Sequence, residues 1–155
     1  MRERPYPEGI DCVWLASDCN GHLGAFVTGG VGPIPTRLLA DKDNHVEDIE
    51  AIACNLPEVS ESRMLVSVKR PDDFMELGAR GIYVYDWSDI HRTISERRHT
   101  YEPVTVPLNP ITVGMLPDNL AQMARLLMFS GLAFVDNKPL DVCMHMNCQE
   151  GRQSK

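Results

Sequence analysis

Ile10-Asp11-Cys12-Val13-Trp14-Leu15-Ala16-Ser17-Asp18-Cys19-Asn20-Gly21-His22-Leu23-Gly24-Ala25-Phe26-Val27-Thr28 is the stretch that decides the fold. Two strand-like runs, Ile10 to Asp18 and Leu23 to Thr28, flank Asn20-Gly21. Asn-Gly between such runs is the strongest short hairpin signal, because both central residues of a type I′ turn need positive φ. A two-residue turn there pairs Cys19 with His22, Leu15 with Phe26 and Trp14 with Val27. It places Val13, Leu15, Phe26 and Thr28 on one face, and Trp14, Ala16, Leu23, Ala25 and Val27 on the other. Both faces are apolar, so the hairpin is expected at the centre of a sheet covered on both sides.

Downstream, Gly29-Gly30-Val31-Gly32-Pro33-Ile34-Pro35 resembles a phosphate loop only in its glycines. It lacks the Gly-Lys-Ser/Thr ending, and its prolines remove backbone donors that a phosphate nest needs. It reads as a rigid turn into a short helix starting near Pro35. A second helix is predicted from His45 to Leu56: Val46, Ile49, Ile52, Ala53 and Leu56 share one stripe, with Asn44 as N-cap and Glu47 three positions on. Met64 to Val68 reads as a strand and Pro71 to Gly78 as a compact helix, with Pro at the start, acids in the first turn and Gly at the end. Ile82 to Trp87 is a strand with Tyr83, Tyr85 and Trp87 on one face, and Tyr101 to Leu108 is another. Pro103 and Pro107 put the latter at a sheet edge or end it near residue 106. Pro117 to Phe129 carries a helical core stripe of Leu120, Met123, Ala124 and Leu127, and Leu132 to Val135 reads as a last short strand.

Strands and helices mix without regular βαβ alternation, and 155 residues suit one domain. The expectation is a single α+β domain: a mixed or antiparallel sheet begun by an N-terminal hairpin, with three to four helices packed on it. Residues 1–9 and about 144–155 read as loose tails.

Charge narrows function. The net charge of −7 is not spread evenly. Between positions 41 and 61 lie Asp41, Asp43, Glu47, Asp48, Glu50, Glu58 and Glu61 against the single Lys42, so the rest of the chain is close to neutral. An acidic chain is ill suited to gripping phosphate backbones, and no apolar run reaches the ~20 residues that span a bilayer. Neither nucleic acid nor membrane is expected as a partner. Five cysteines, an odd number, without a secretory signal at the N-terminus point to a reduced, cytoplasmic location. Clustered acids steer a basic partner more strongly than scattered ones. A helix explains Glu47, Asp48 and Glu50, because early acids complement its dipole, but it does not reach Glu58 and Glu61 beyond Pro57.

Other chemistry is weaker. Cys143-x-His145-x-x-Cys148 offers three metal ligands without a fourth at recognisable spacing, and metal binding through it stays an alternative. Asp18-Cys19-Asn20-Gly21 opens like a calcium loop and stops there. His91, Arg92, Arg97, Arg98 and His99 form a small basic island, read as solvated loop. No Gly-x-Ser-x-Gly elbow or His-Glu-x-x-His occurs. No catalytic residue and no cofactor are expected.

Residues 13–35, with their tryptophan strand, the Asp18-x-x-Gly21-His22 turn, a second aromatic strand and Gly32-Pro33-Ile34-Pro35, resemble the opening of a family of small bacterial orphan proteins. Gly81-Ile82-Tyr83-Val84-Tyr85-Asp86-Trp87 and Pro107-Leu108-Asn109-Pro110-Ile111 are similar to its later stretches. Such proteins resemble the immunity proteins encoded beside polymorphic or type VI-secreted toxins. The resemblance implies a non-enzymatic inhibitor of a cognate, basic toxin, for which a nuclease is a fitting class. The seven acids from Asp41 to Glu61 are its candidate contact residues. The alternative is a small enzyme or ligand-binding protein using His22, the Gly29–Pro35 turn or the Tyr83, Tyr85 and Trp87 face.

Overall fold

β1 (Val13–Asp18) and β2 (Leu23–Val27) form the expected antiparallel hairpin, but its register is shifted by one residue. Trp14 pairs with Phe26, Leu15 with Ala25 and Ser17 with Leu23. The loop has three residues, Cys19 to Gly21, closed by Asp18 N donating to His22 O at 3.1 Å. Gly21 takes the left-handed conformation that ends such loops, with φ of +77°. Asp18 makes the choice. Its Oδ1 accepts from Asn20 N and His22 N, both at 2.9 Å, a bracket that a two-residue turn cannot offer. A one-residue shift moves every side chain of β2 to the opposite face. Phe26 therefore lies on the face of Trp14, stacked at 4.2 Å, and Leu23, Ala25 and Val27 join Val13 and Leu15.

These coordinates come from a computed structural model that describes residues 4–41, 43–68, 71–87 and 100–151. Across them the chain is one α+β domain with four α-helices. Its further strands are β3 (Ile34–Pro35), β4 (Ser62–Met64), β5 (Tyr83–Asp86), β6 (Glu102–Pro107), β7 (Met128–Phe129) and β8 (Cys148–Gln149). The helices are α1 (Thr36–Leu39), α2 (Val46–Cys54), α3 (Asp72–Ala79) and α4 (Asp118–Leu126). The main sheet is mixed, in the order β4-β6-β5-β2-β1-β7, with β2–β5 and β1–β7 parallel; β3 and β8 form a separate antiparallel pair.

The hairpin is central, with both faces covered. On one face Trp14, Phe26 and Tyr85 stack in a row across three strands, the second step at 5.0 Å. Phe129, Phe134 and Tyr101 close over that row. The Tyr101 hydroxyl donates to Pro33 O at 2.7 Å and accepts from Trp14 Nε1 at 3.3 Å, so a wholly buried phenol is satisfied. Helices α2, α3 and α4 take the opposite face, and α1 packs on the β3–β8 pair. Ser17 Oγ reaches Ala124 O of α4 at 2.6 Å, and α3 rests on β4 and β6 where Gly78 approaches closely. A Cβ at Gly78 would stand 2.5 Å from Ser62 Oγ and 2.8 Å from Thr105 Cγ2, so only glycine permits that approach. α2 packs on β1 beside α3.

Several expectations need correction. Of the two expectations for the proline-bearing strand, the end near residue 106 holds, since β6 stops at Pro107, but the edge position does not: β6 is internal, between β5 and β4, with a bulge opposite Val84 and Tyr85. The α4 pattern stops at Leu126, because Met128 and Phe129 are drawn into the sheet beside β1. Residues 132–135 are not a strand: a 3₁₀ turn, Phe134–Asp136, forms where Phe134 N donates to Asp18 Oδ2 at 2.8 Å. Within residues 4–9 and 144–151 some side chains and strands join the fold. Tyr6 is buried, with its hydroxyl on Gly32 O at 2.6 Å, and β8 pairs with β3.

Candidate functional site

α2 is built as its periodicity predicts: Val46, Ile49 and Ala53 are buried, Glu47 and Asp48 exposed, and Glu50 half-buried. Its start differs. His45 occupies the N-cap position and no side chain caps it; the Asn44 amide instead donates to Asp41 Oδ2 at 3.1 Å. Asp41 also accepts from Asp43 N at 2.8 Å. Burial raises the Asp41 pKa, but these bonds and the Arg4 charge outweigh it, and the net result lies below the usual carboxylate value. Asp41 is thus occupied in shaping the turn into α2, while Asp43 next to it is exposed.

At the other end of the segment, Glu58 pairs with Arg80 at 3.5 Å, and Glu76 approaches the same guanidinium at 3.9 Å. Arg80 further donates to Leu56 O at 3.2 Å and Cys54 O at 2.7 Å, satisfying carbonyls left open where α2 ends. Glu61 is exposed beside β4. The seven predicted acids therefore divide. Asp43, Glu47, Asp48 and Glu61 are exposed and Glu50 is half-buried, whereas Asp41 and Glu58 are engaged within the fold.

Three acids absent from the predicted set join the middle of it. Among the described residues, the charges acting on Glu50 are Asp73 and Glu76 from α3 and Asp11 from the segment before β1. Burial, then these like charges, pushes the Glu50 carboxyl above its ordinary pKa. Asp11 is raised in the same way by burial, against a hydrogen bond from Gly29 N at 2.9 Å, with Asp73 adding to it. The buried Cys12 thiol is pushed up to about 11 by burial, then by Glu47, Asp11 and Glu50. Proximity in the fold between Asp11, α2 and α3, which are separate segments of the sequence, makes this patch; residue spacing along the chain carried no signal for it.

The chain matches no family model, no curated protein and no solved structure.

The other candidate residues are dispersed. Tyr83, Tyr85 and Trp87 are buried in the core and do not form a binding face. The Gly29–Pro35 turn is packed under Tyr6 and Tyr101. His22 lies with its ring 6.0 Å from that of Tyr83, and its Nδ1 is buried without a hydrogen-bond partner among the described residues. Asp18 has both oxygens taken by backbone N–H groups, which accounts for the calcium-loop likeness as a turn. Cys143 and Cys148 come together, but the His145 ring sits edge-on against Phe129 at 5.4 Å. Among the described residues no three His, Cys, Asp or Glu side chains converge in a metal-binding group. The basic island at residues 91–99 lies outside the described residues. No described helix is long and apolar enough to cross a membrane. A groove of about 460 Å³ opens between α1 and the end of α4, lined by Thr36, Arg37, Leu126, Met128, His145 and Asn147 among others.

Proposed function

We propose that this protein is an inhibitor of the immunity type, which neutralises a basic toxin by binding it through the acidic surface centred on α2. The observation that carries the reading is Glu50: half-buried, it feels Asp73, Asp11 and Glu76, and among the described residues the charges that raise its pKa are these three carboxylates. Like charges gathered on a half-buried site cost folding energy, and such a cost is retained where the field it creates captures a partner. Exposed Glu47 and Asp48 on the same helix extend that field, with Asp43 at its start. The resemblance of residues 13–35 to a bacterial orphan family supports the same class. A toxin that cuts nucleic acid must itself be basic on its working face, so an acidic cap would cover the surface that matters.

The test is co-expression. The reading frame directly upstream of the gene for this chain is expressed in a laboratory host, alone and with this chain. Growth arrest relieved by the chain supports the reading, and arrest that persists with the chain fully expressed contradicts it.

A further inference from the structure

Cys143 and Cys148 bound a six-residue loop near the C-terminus. Cys143 lies in the 3₁₀ turn Val142–Met144, and its N–H donates to Asp141 Oδ1 at 3.1 Å. Cys148 opens β8 opposite Pro35. The loop is held from both sides: Met146 N donates to Val142 O at 3.0 Å, and Thr36 N donates to Asn147 O at 2.8 Å. In this frame the two thiols lie near enough for each to act on the other, and both feel the Glu150 carboxylate. Cys143 also reaches Glu150 Oε1 at 3.6 Å, and Cys148 reaches Met146 O at 3.6 Å. Cys143 is exposed, Cys148 half-buried, and neither is in a disulfide. His145, Met146 and Asn147, all within the loop, form one wall of the 460 Å³ groove.

We propose that Cys143 and Cys148 are a reversible dithiol–disulfide site, oxidised by low-molecular-weight disulfides, whose closure locks this wall of the groove. The Cys143 thiolate attacks one sulfur of the small disulfide, that S–S bond breaks, and one small thiolate leaves and takes up a proton. The Cys148 thiolate then attacks Cys143 Sγ and expels the second small thiolate, which is protonated in turn. The cysteines give up two electrons and two protons, and the reagent gains them as two thiols. Burial, then the Glu150 carboxylate, pushes Cys143 up to about 11, and Cys148 is raised by burial with Cys143, Glu150 and Asp141 adding to it. Both sulfurs are therefore protonated at neutral pH, and exchange quickens as the pH rises.

The full-length chain is incubated under native, mildly alkaline conditions with excess oxidised glutathione, alkylated and digested with trypsin. The peptide running from Leu126 past Cys148 should be lighter by two hydrogen atoms, free of alkyl and glutathionyl groups, and restored by dithiothreitol. Amide exchange across residues 144–147 should slow by roughly tenfold on oxidation. Two alkyl groups on that peptide, a persistent glutathione adduct, or a link to Cys12, Cys19 or Cys54 overturns the site. Unchanged exchange in the oxidised chain overturns the locking of the wall.

Discussion

Asp18 is fully buried, yet its two oxygens serve three backbone N–H groups: those of Asn20, His22 and Phe134. The first two choose the hairpin loop, and the third ties the hairpin to a turn 116 positions further on. Half of this was legible. Asp-x-x-Gly-His marks a turn, but counting Asn-Gly as the whole loop misses the residue that the carboxylate brackets, and the register slips by one. The link to Phe134 leaves no trace in local spacing. Replacing Asp18 by Ala strands the buried Phe134 N–H and loosens the loop, so it should cost about 2–4 kcal/mol. Asp18→Asn should recover part of that loss, since an amide oxygen still accepts from Asn20 and His22. Urea midpoints of the three proteins at neutral pH measure this; a midpoint unchanged in Asp18→Ala would mean that the carboxylate does not hold the turn.

Among the elements, α2 was the most readable, because its buried stripe follows the helical period. Its ends were less so. Asn44 was available as a cap but is taken by Asp41, and the C-terminal carbonyls are closed by Arg80, which no periodicity within α2 reveals. Its neighbours were not readable at all, since Asp11, Asp73 and Glu76 come from other segments. Their effect on Glu50 has a definite sign. The folded chain holds this carboxyl above its unfolded value, so ionising it costs more in the folded state. The stability associated with protonated Glu50 is fully present below the ordinary carboxylate range. It is lost as the pH climbs from that range through the raised value. Glu50→Gln removes that loss. The variant should melt higher than the parent at pH 7, match it in acid, and lose part of its advantage in high salt, which screens the like charges but not the cost of burial. Thermal melts over pH 3 to 8 check it, and a variant less stable than the parent at pH 7 would contradict the electrostatic reading of Glu50.

At the scale of the molecule, the α+β class and the central hairpin follow from the doubly apolar strands and the irregular order of elements. Strand order does not. The prolines of β6 mark its end near residue 106 correctly but also read as an edge, yet the three-residue β4 covers it, and a short partner of that kind has almost no pattern of its own. Met128 and Phe129 continue the α4 periodicity and still leave the helix, because the open edge of β1 offers them backbone partners. The same assembly turns a run of acids in one segment into a surface drawn from α2, α3 and the approach to β1. If that surface captures a basic toxin, its field sets how fast the two proteins meet. The decisive measurement is the association rate of this chain with the toxin whose growth arrest it relieves, across a range of salt. It is made for the parent and for the variant carrying Glu47→Lys, Asp48→Lys and Glu50→Lys. The variant should melt within about 5 °C of the parent, associate at least about tenfold more slowly at low salt, and show a flattened salt dependence. Equal rates and equal salt slopes for the two proteins would place the contact on another face of the molecule.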